Sequence, residues 1–125
     1  MSLGDWKKRL QERYFNKFIL LRDKGKPCIS CGRLTGCKVN AGHFLSVGSH
    51  PELRFNEDNV ALQCEHCNSF LSGNPVEYEK RLREKIGNER VDFLKGPHEM
   101  PRYRVDDIKE MIEIYKAKIK HLKEL

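Results

Sequence analysis

No stretch of this sequence is apolar for the roughly 20 residues that a membrane-crossing helix needs. The opening Met1-Ser-Leu-Gly-Asp-Trp6 also lacks an apolar run of export-signal length, so the expected compartment is the reducing cytoplasm. Apolar residues are only 38% of the 125, with 9% aromatic and 34% charged, which excludes a large or second core. The expectation is one modest domain over residues 1–125. Internal repeats and low-complexity segments are absent too, which excludes solenoid architectures. Cysteine is scarce, five in all, and in a reducing compartment cysteines at these spacings read as metal ligands rather than disulfides.

Four of them form two knuckles, Cys28-Ile-Ser-Cys31 and Cys64-Glu-His-Cys67, with 32 residues between. Each Cys-x2-Cys can put two thiolates on one zinc, and two knuckles complete a tetrahedral site with no open position. Such a metal is structural. With so small a core its binding acts largely as folding free energy; small zinc-finger peptides show apparent values of about 10–16 kcal/mol. Cys37 is left over and reads as a small, half-buried thiol.

Net charge is +6 and unevenly placed. Residues 1–40 carry ten Lys/Arg against three Asp/Glu, residues 41–75 one against four, and the remainder thirteen against eleven. A basic arm beside a nearly neutral core suits a polyanion such as nucleic acid, although a solvated surface explains it equally well.

From Asp5 to about Asp23, Trp6, Leu10, Tyr14, Phe15, Phe18, Ile19 and Leu21 recur at helical spacing, opposite Lys7, Lys8, Arg9, Arg13 and Lys17. This predicts a basic N-terminal helix within residues 1–26, ended by Gly25-Lys-Pro27. Residues 38–47 read as a short strand or hairpin, and Gly48-Ser-His-Pro51 as a turn. The second knuckle opens a short helix ending near Gly73. Asn74-Pro75-Val76-Glu77 reads as a helix start with a capping box, and that helix runs to about Ile86 before Gly87. Another turn or two covers Glu89 to Leu94. After the Gly96-Pro97 and Pro101 linker, Ile108, Met111, Ile112, Tyr115, Ile119 and Leu122 form a stripe on a final helix within 102–125. The fold class is α+β: a small hairpin and a zinc site, within residues 27–95, set between helices.

Inside and just beyond the loop that the knuckles enclose stand His43, Asn59 and Asn68. This order is similar to the H-N-H, or ββα-metal, nuclease motif, and an Asn directly after the last knuckle resembles phage recombination endonuclease VII. The resemblance implies that His43 is a general base, that Asn59 braces the loop, and that Asn68 binds the catalytic metal. The residue types suit that chemistry. A neutral imidazole can take a proton from water near pH 7, and an amide oxygen is a hard ligand for magnesium. Each also has a plainer reading: His43 as packing, Asn59 as turn chemistry, Asn68 as a helix cap. Arg54, on the enclosed loop, is a candidate phosphate contact, with Lys7, Lys8, Arg9 and Arg13 as further DNA contacts. His50 and His66 read as bystanders.

A closer likeness spans nearly the whole chain. Pro27-Cys-Ile-Ser-Cys-Gly32, Ala41-Gly-His43, Leu53-Arg-Phe55, Gln63-Cys64, Cys67-Asn68 and Ser72-Gly-Asn74 resemble the NinG (Rap) family of phage recombination proteins. The resemblance implies a structure-directed DNA endonuclease acting on Holliday junctions and D-loops with magnesium or manganese, in the cytoplasm of a bacterial host. Cys28, Cys31, Cys64 and Cys67 would hold its zinc. Paired cuts on a junction imply a homodimer, for which the final helix stripe is a candidate contact, and other recombination proteins are possible partners. The chain departs from the family at Asn40, where the pattern has Asp; size is kept and charge is not. The family also carries a long basic, cysteine-bearing region upstream of the shared part, whose functions do not transfer to a chain starting almost at that part. A trimmed fragment is one explanation.

Two other classes stay open. A zinc-dependent DNA-binding module that does not cut would need the knuckles but not the His43/Asn59/Asn68 set. A protein-interaction zinc domain would need neither that set nor the basic arm. Cleavage of ordinary duplex DNA, as in packaging or restriction, is a further alternative within the nuclease reading.

Overall fold

The computed structural model describes residues 1–34 and 36–125. Helix α1 occupies residues 3–22 in three consecutive stretches: α-helical Leu3–Arg9, a wider π-helical run Leu10–Phe15, and α-helical Asn16–Arg22. Ser2 starts it with a capping box, its hydroxyl accepting from the Asp5 N–H at 3.1 Å while the Asp5 carboxylate accepts from the Ser2 N–H at 2.9 Å. The wider run changes the helical phase, and the polar Gln11 joins Leu10 and Phe15 among the buried residues. The chain leaves α1 through Gly25, whose φ of +83° suits glycine.

Strands β1 (Val39–His43) and β2 (Val60–Cys64) form a two-stranded antiparallel ladder, Val39 opposite Cys64 and His43 opposite Val60. Of the two readings of residues 38–47, strand or hairpin, the strand forms, and its partner arrives from 60–64. The last bond across the strands runs from the Phe44 N–H to the Asn59 carbonyl at 2.8 Å. Beyond it the Asn59 side chain occupies both backbone groups of Leu45, accepting from its N–H and donating to its carbonyl, each at 3.0 Å. Successive strand residues face opposite sides of a ladder, and β2 is buried along its whole length. Val60 packs with α1 and the final helix, and Ala61 packs with the helices that follow the knuckles.

Those helices are α2 (Pro75–Ile86) and α3 (Asn88–Lys95), separated by Gly87 at φ +92°. The capping box expected from Asn74 and Glu77 does not form. Asn74 is left-handed, φ 45° and ψ 60°, and its side-chain amide lies 3.8 Å from the Cys67 sulfur instead of over the helix start. Helix α4 (Val105–Lys123) carries the predicted stripe, with Ile108, Ile112, Tyr115 and Ile119 buried. These residues pack on α1, where the Tyr115 ring meets Phe15 at 5.2 Å and Phe18 at 5.3 Å, both edge-on. The stripe is core, and so not an open dimer contact. The architecture is α+β, and no helix among the described residues is long and apolar enough to cross a membrane.

One buried acid ties the layers together. Asp23, 1% exposed, pairs with Arg22 at 2.8 Å and Lys85 of α2 at 3.2 Å, and accepts from the Leu62 N–H of β2 at 3.0 Å. Burial alone would raise its pKa, but the Arg22 bond, the Leu62 bond and the two cations outweigh this and hold it below the ordinary carboxylate value. A lowered folded-state pKa stabilises the fold above the unfolded value of about 4, and that stabilisation is lost as pH falls through the folded value. Asp23→Ala should lower the unfolding free energy by about 3 kcal/mol in urea titration, because it leaves the half-buried Arg22 and Lys85 without their acid and the Leu62 N–H without its acceptor. The variant should also show a flatter stability profile than the parent below about pH 4.

Candidate functional site

The knuckles meet at the Cys64 end of the ladder. The sulfurs of Cys28, Cys31, Cys64 and Cys67 all lie within 4.8 Å of one another, and those of Cys31 and Cys64 are 3.8 Å apart. Four ligands at about 2.3 Å around a tetrahedral ion would have edges of about 3.8 Å, so the donor set and its dimensions fit a metal such as zinc. Backbone N–H groups aim at the sulfurs: Cys28 accepts from Cys64 at 3.2 Å, Ser30 at 3.4 Å and Cys31 at 3.5 Å. Burial would raise the Cys28 pKa, but these bonds prevail and lower it to about 7. Cys67 is pushed up to about 12, first by burial and then by the neighbouring Cys64 sulfur. A cation at the centre of the four removes that penalty. Cys37 packs against the cluster and is not one of the four.

Two buried groups outside the predicted set hold the ladder in place, Gln63 at this end and Tyr78 nearer His43. Gln63, fully buried on β2, donates to the Ser30 hydroxyl at 2.8 Å and the Gly73 carbonyl at 2.7 Å, joining the first knuckle to the segment after the second. Tyr78 of α2 donates to the Gly42 carbonyl at 2.7 Å. The sequence offers little sign of either, since both look like ordinary members of their elements.

His43 stands at the opposite end of the ladder. Its Nε2 is 3.0 Å from the Arg54 carbonyl oxygen. A carbonyl only accepts, so Nε2 carries the proton and Nδ1 keeps its lone pair. Burial, the largest influence, holds His43 below its ordinary pKa; the Arg54 carbonyl opposes this and the nearby Arg54 guanidinium adds to it. The ring is therefore neutral at physiological pH. Asn59, fully buried, braces the loop after His43 through Leu45 and also lies 3.4 Å from the Leu53 carbonyl. Arg54 lies over the Phe55 ring at 5.2 Å and donates through Nε to Gln11 at 3.2 Å; it forms no salt bridge among the described residues, Glu12 acting on its charge from farther off. Gln11 is a supporting residue of α1 that helical spacing did not single out.

Asn68 is exposed on the π-helical turn His66–Phe70, directly after Cys67. No hydrogen bond joins it to His43 or Asn59 among the described residues. Val60, opposite His43, is about 13 Å along the strand from Cys64 at about 3.3 Å per residue. The structure thus brings His43, Asn59 and Arg54 together, and the four cysteines together, with Asn68 at the cysteine end. Lys8 and Arg13 are exposed on α1, while Lys7 lies over Tyr103 at 5.6 Å and Arg9 over Trp6 at 5.4 Å. His66 stacks on Phe70 in solvent, and His50 has a buried Nδ1 without a partner.

The glycine before His43 has a steric reason. A Cβ on Gly42 would lie 2.9 Å from both Cβ and Cδ of Gln63, too close for either strand to stay put. Gly42→Ala should lower stability by about 1–3 kcal/mol in chemical denaturation, as overpacking does. Combined with Gln63→Ala the loss should be less than additive, because the second change removes Cδ and the amide and leaves only the Cβ contact.

Comparison with known proteins places the chain. A family described as Bacteriophage Lambda NinG protein matches residues 1–124. The chain is 41% identical over 118 residues to Protein ninG of Escherichia phage lambda, covering 94% of this chain and 57% of that protein. It is 40% identical over 119 residues to Protein ninG of Salmonella phage P22, covering 95% and 58%. The chain thus spans somewhat over half the length of these curated relatives. No solved structure matches it. With a match over nearly its whole length and these identities, the chain belongs to the NinG family of lambda-like bacteriophages.

Proposed function

We propose that this chain is a zinc-stabilised, metal-dependent DNA endonuclease of the H-N-H class that hydrolyses phosphodiesters in branched recombination intermediates such as Holliday junctions and D-loops. The observation that carries the proposal is the environment of His43. Its Nε2–H is committed to the Arg54 carbonyl, its Nδ1 lone pair is left free, and its pKa is depressed. That is the state a general base for water requires. Arg54, a cation beside it that forms no salt bridge among the described residues, is suited to a phosphate oxygen. Asn59 fixes the loop between the two, and Asn68, at the cysteine end of the ladder, offers a hard amide oxygen to magnesium or manganese. The divalent ion, when bound, supplies charge stabilisation on the phosphate. Zinc in the four-cysteine site anchors the end of β2 and the turn bearing Asn68. Junction cutting in pairs would call for a homodimer.

On labelled four-way junctions with magnesium, paired cuts are expected from the parent chain, with His43→Ala slower by about 10²–10⁴-fold. Tight junction binding with no cleavage in any divalent metal would sink the catalytic claim and favour the zinc-anchored binding module. The rate should rise with pH through the folded pKa of His43, with its midpoint below about 6.5, and level off at neutrality. For the zinc, native mass spectrometry should find one ion per chain. Cys64→Ser should lose that ion together with the cooperative unfolding transition.

A further inference from the structure

Helices α1 and α4 lie side by side and run in the same direction: Trp6 meets Lys109, Phe15 meets Tyr115, and Lys17 meets Lys123. Along one edge of their seam the exposed side chains are cations set on aromatic rings. Arg9 and Lys109 both approach the Trp6 ring, at 5.4 and 5.0 Å from its centre. One step further, Lys116 lies 5.5 Å from the Tyr14 ring. At the far end Lys17 and Lys123 are drawn together, two cations in contact. The adjacent Lys17 ammonium, a like charge, depresses the Lys123 pKa. Lys109, Lys116 and Lys123 are seven residues apart, so they share a helix face and span about 21 Å at 1.5 Å per residue. Of the acids on α4, Glu113 reaches this row, pairing with Lys116 at 3.1 Å. Like charges gathered in a row, one pair in direct contact, are unfavourable in the free chain and become favourable against a polyanion.

We propose that this seam is a docking track for the phosphate backbone of duplex DNA, with Lys109, Lys116 and Lys123 as its phosphate contacts and Trp6 at one end. The proposal rests on the DNA-directed reading of the chain and adds where an arm of the substrate is held. The α1 arm does not act alone; α4 supplies most of the row. The 21 Å row matches about six base pairs of B-DNA at about 3.4 Å per step, so several phosphates can be engaged at once.

The test uses the full chain in a His43→Ala background, which retains the cysteine site, with labelled duplex and four-way junction and no added divalent metal. Binding is titrated against salt. Replacing Lys109, Lys116 and Lys123 together by Gln should reduce the slope of log K against log salt by about 2–3, at about 0.9 per phosphate contact. It should also weaken binding at about 0.15 M salt by about tenfold or more, with an unchanged melting temperature. A matched triple at Lys24, Lys38 and Lys80 should leave the slope as it was. Trp6 is the single tryptophan, so DNA should change its fluorescence in the parent and much less in the seam variant. DNA binding with an unchanged slope in the seam variant, or an equal fall in the matched triple, would overturn the track while leaving the nuclease reading intact. Failure of the parent to bind any DNA would overturn both.

Discussion

A ladder of only two strands is not stable by itself, and here every other element is arranged around that deficiency. Five residue pairs join β1 to β2, and both faces of β2 are covered. Val60 goes to the α1/α4 layer and Ala61 to the α2/α3 layer, so the ladder is the partition between two small cores rather than the floor of one. Alternation along five residues is enough to serve both. Neither helical layer is large, and the ladder gives each a wall it could not make from its own residues.

What joins the layers is mainly polar and buried. Asp23 reaches from the end of α1 to β2 and α2, Gln63 from β2 to both knuckle segments, and Tyr78 from α2 to β1. Buried hydrogen bonds of this type are modest in net energy but expensive to leave unmade, so they fix the registry of pieces that greasy contacts alone would let slide. The Gln63 carbonyl oxygen has no partner among the described residues, a local imperfection in this network. The cysteine cluster occupies one end of the same partition. His43 and Arg54, joined through the Arg54 carbonyl, occupy the other, and the ladder keeps the two ends at a set distance.

Much of this was legible in the sequence where the signal is periodic or local. The knuckles declared their cluster by spacing alone, the α4 stripe declared a buried face, and Gly25 and Gly87 marked the helix ends. The sequence was silent where a side chain works at long range. Nothing around Asp23 announces that it will bond a strand some forty residues on, and nothing within residues 38–47 shows that Asn59 takes both backbone groups of Leu45. Asn74 shows the reverse case. Its neighbours spell a capping box, but the cysteine cluster draws its amide away, and local propensity gives way to a tertiary contact. At the candidate site, the order of His43 and Asn59 singled them out as candidates, whereas the tautomer of His43 depends on a backbone carbonyl that no sequence pattern displays.

The pairing of α1 with α4 has a consequence for how the protein is made. At about 5–20 residues per second, the ribosome delivers α4 several seconds after α1. During that interval Phe15, Phe18 and Ile19 have emerged and their partners Ile112, Tyr115 and Ile119 have not. The nascent chain must hold an amphipathic, strongly basic helix open in a cell full of ribosomal and messenger RNA. Those basic residues can keep the unpaired helix soluble, and they also make it prone to transient capture by RNA until α4 arrives to cover its apolar face.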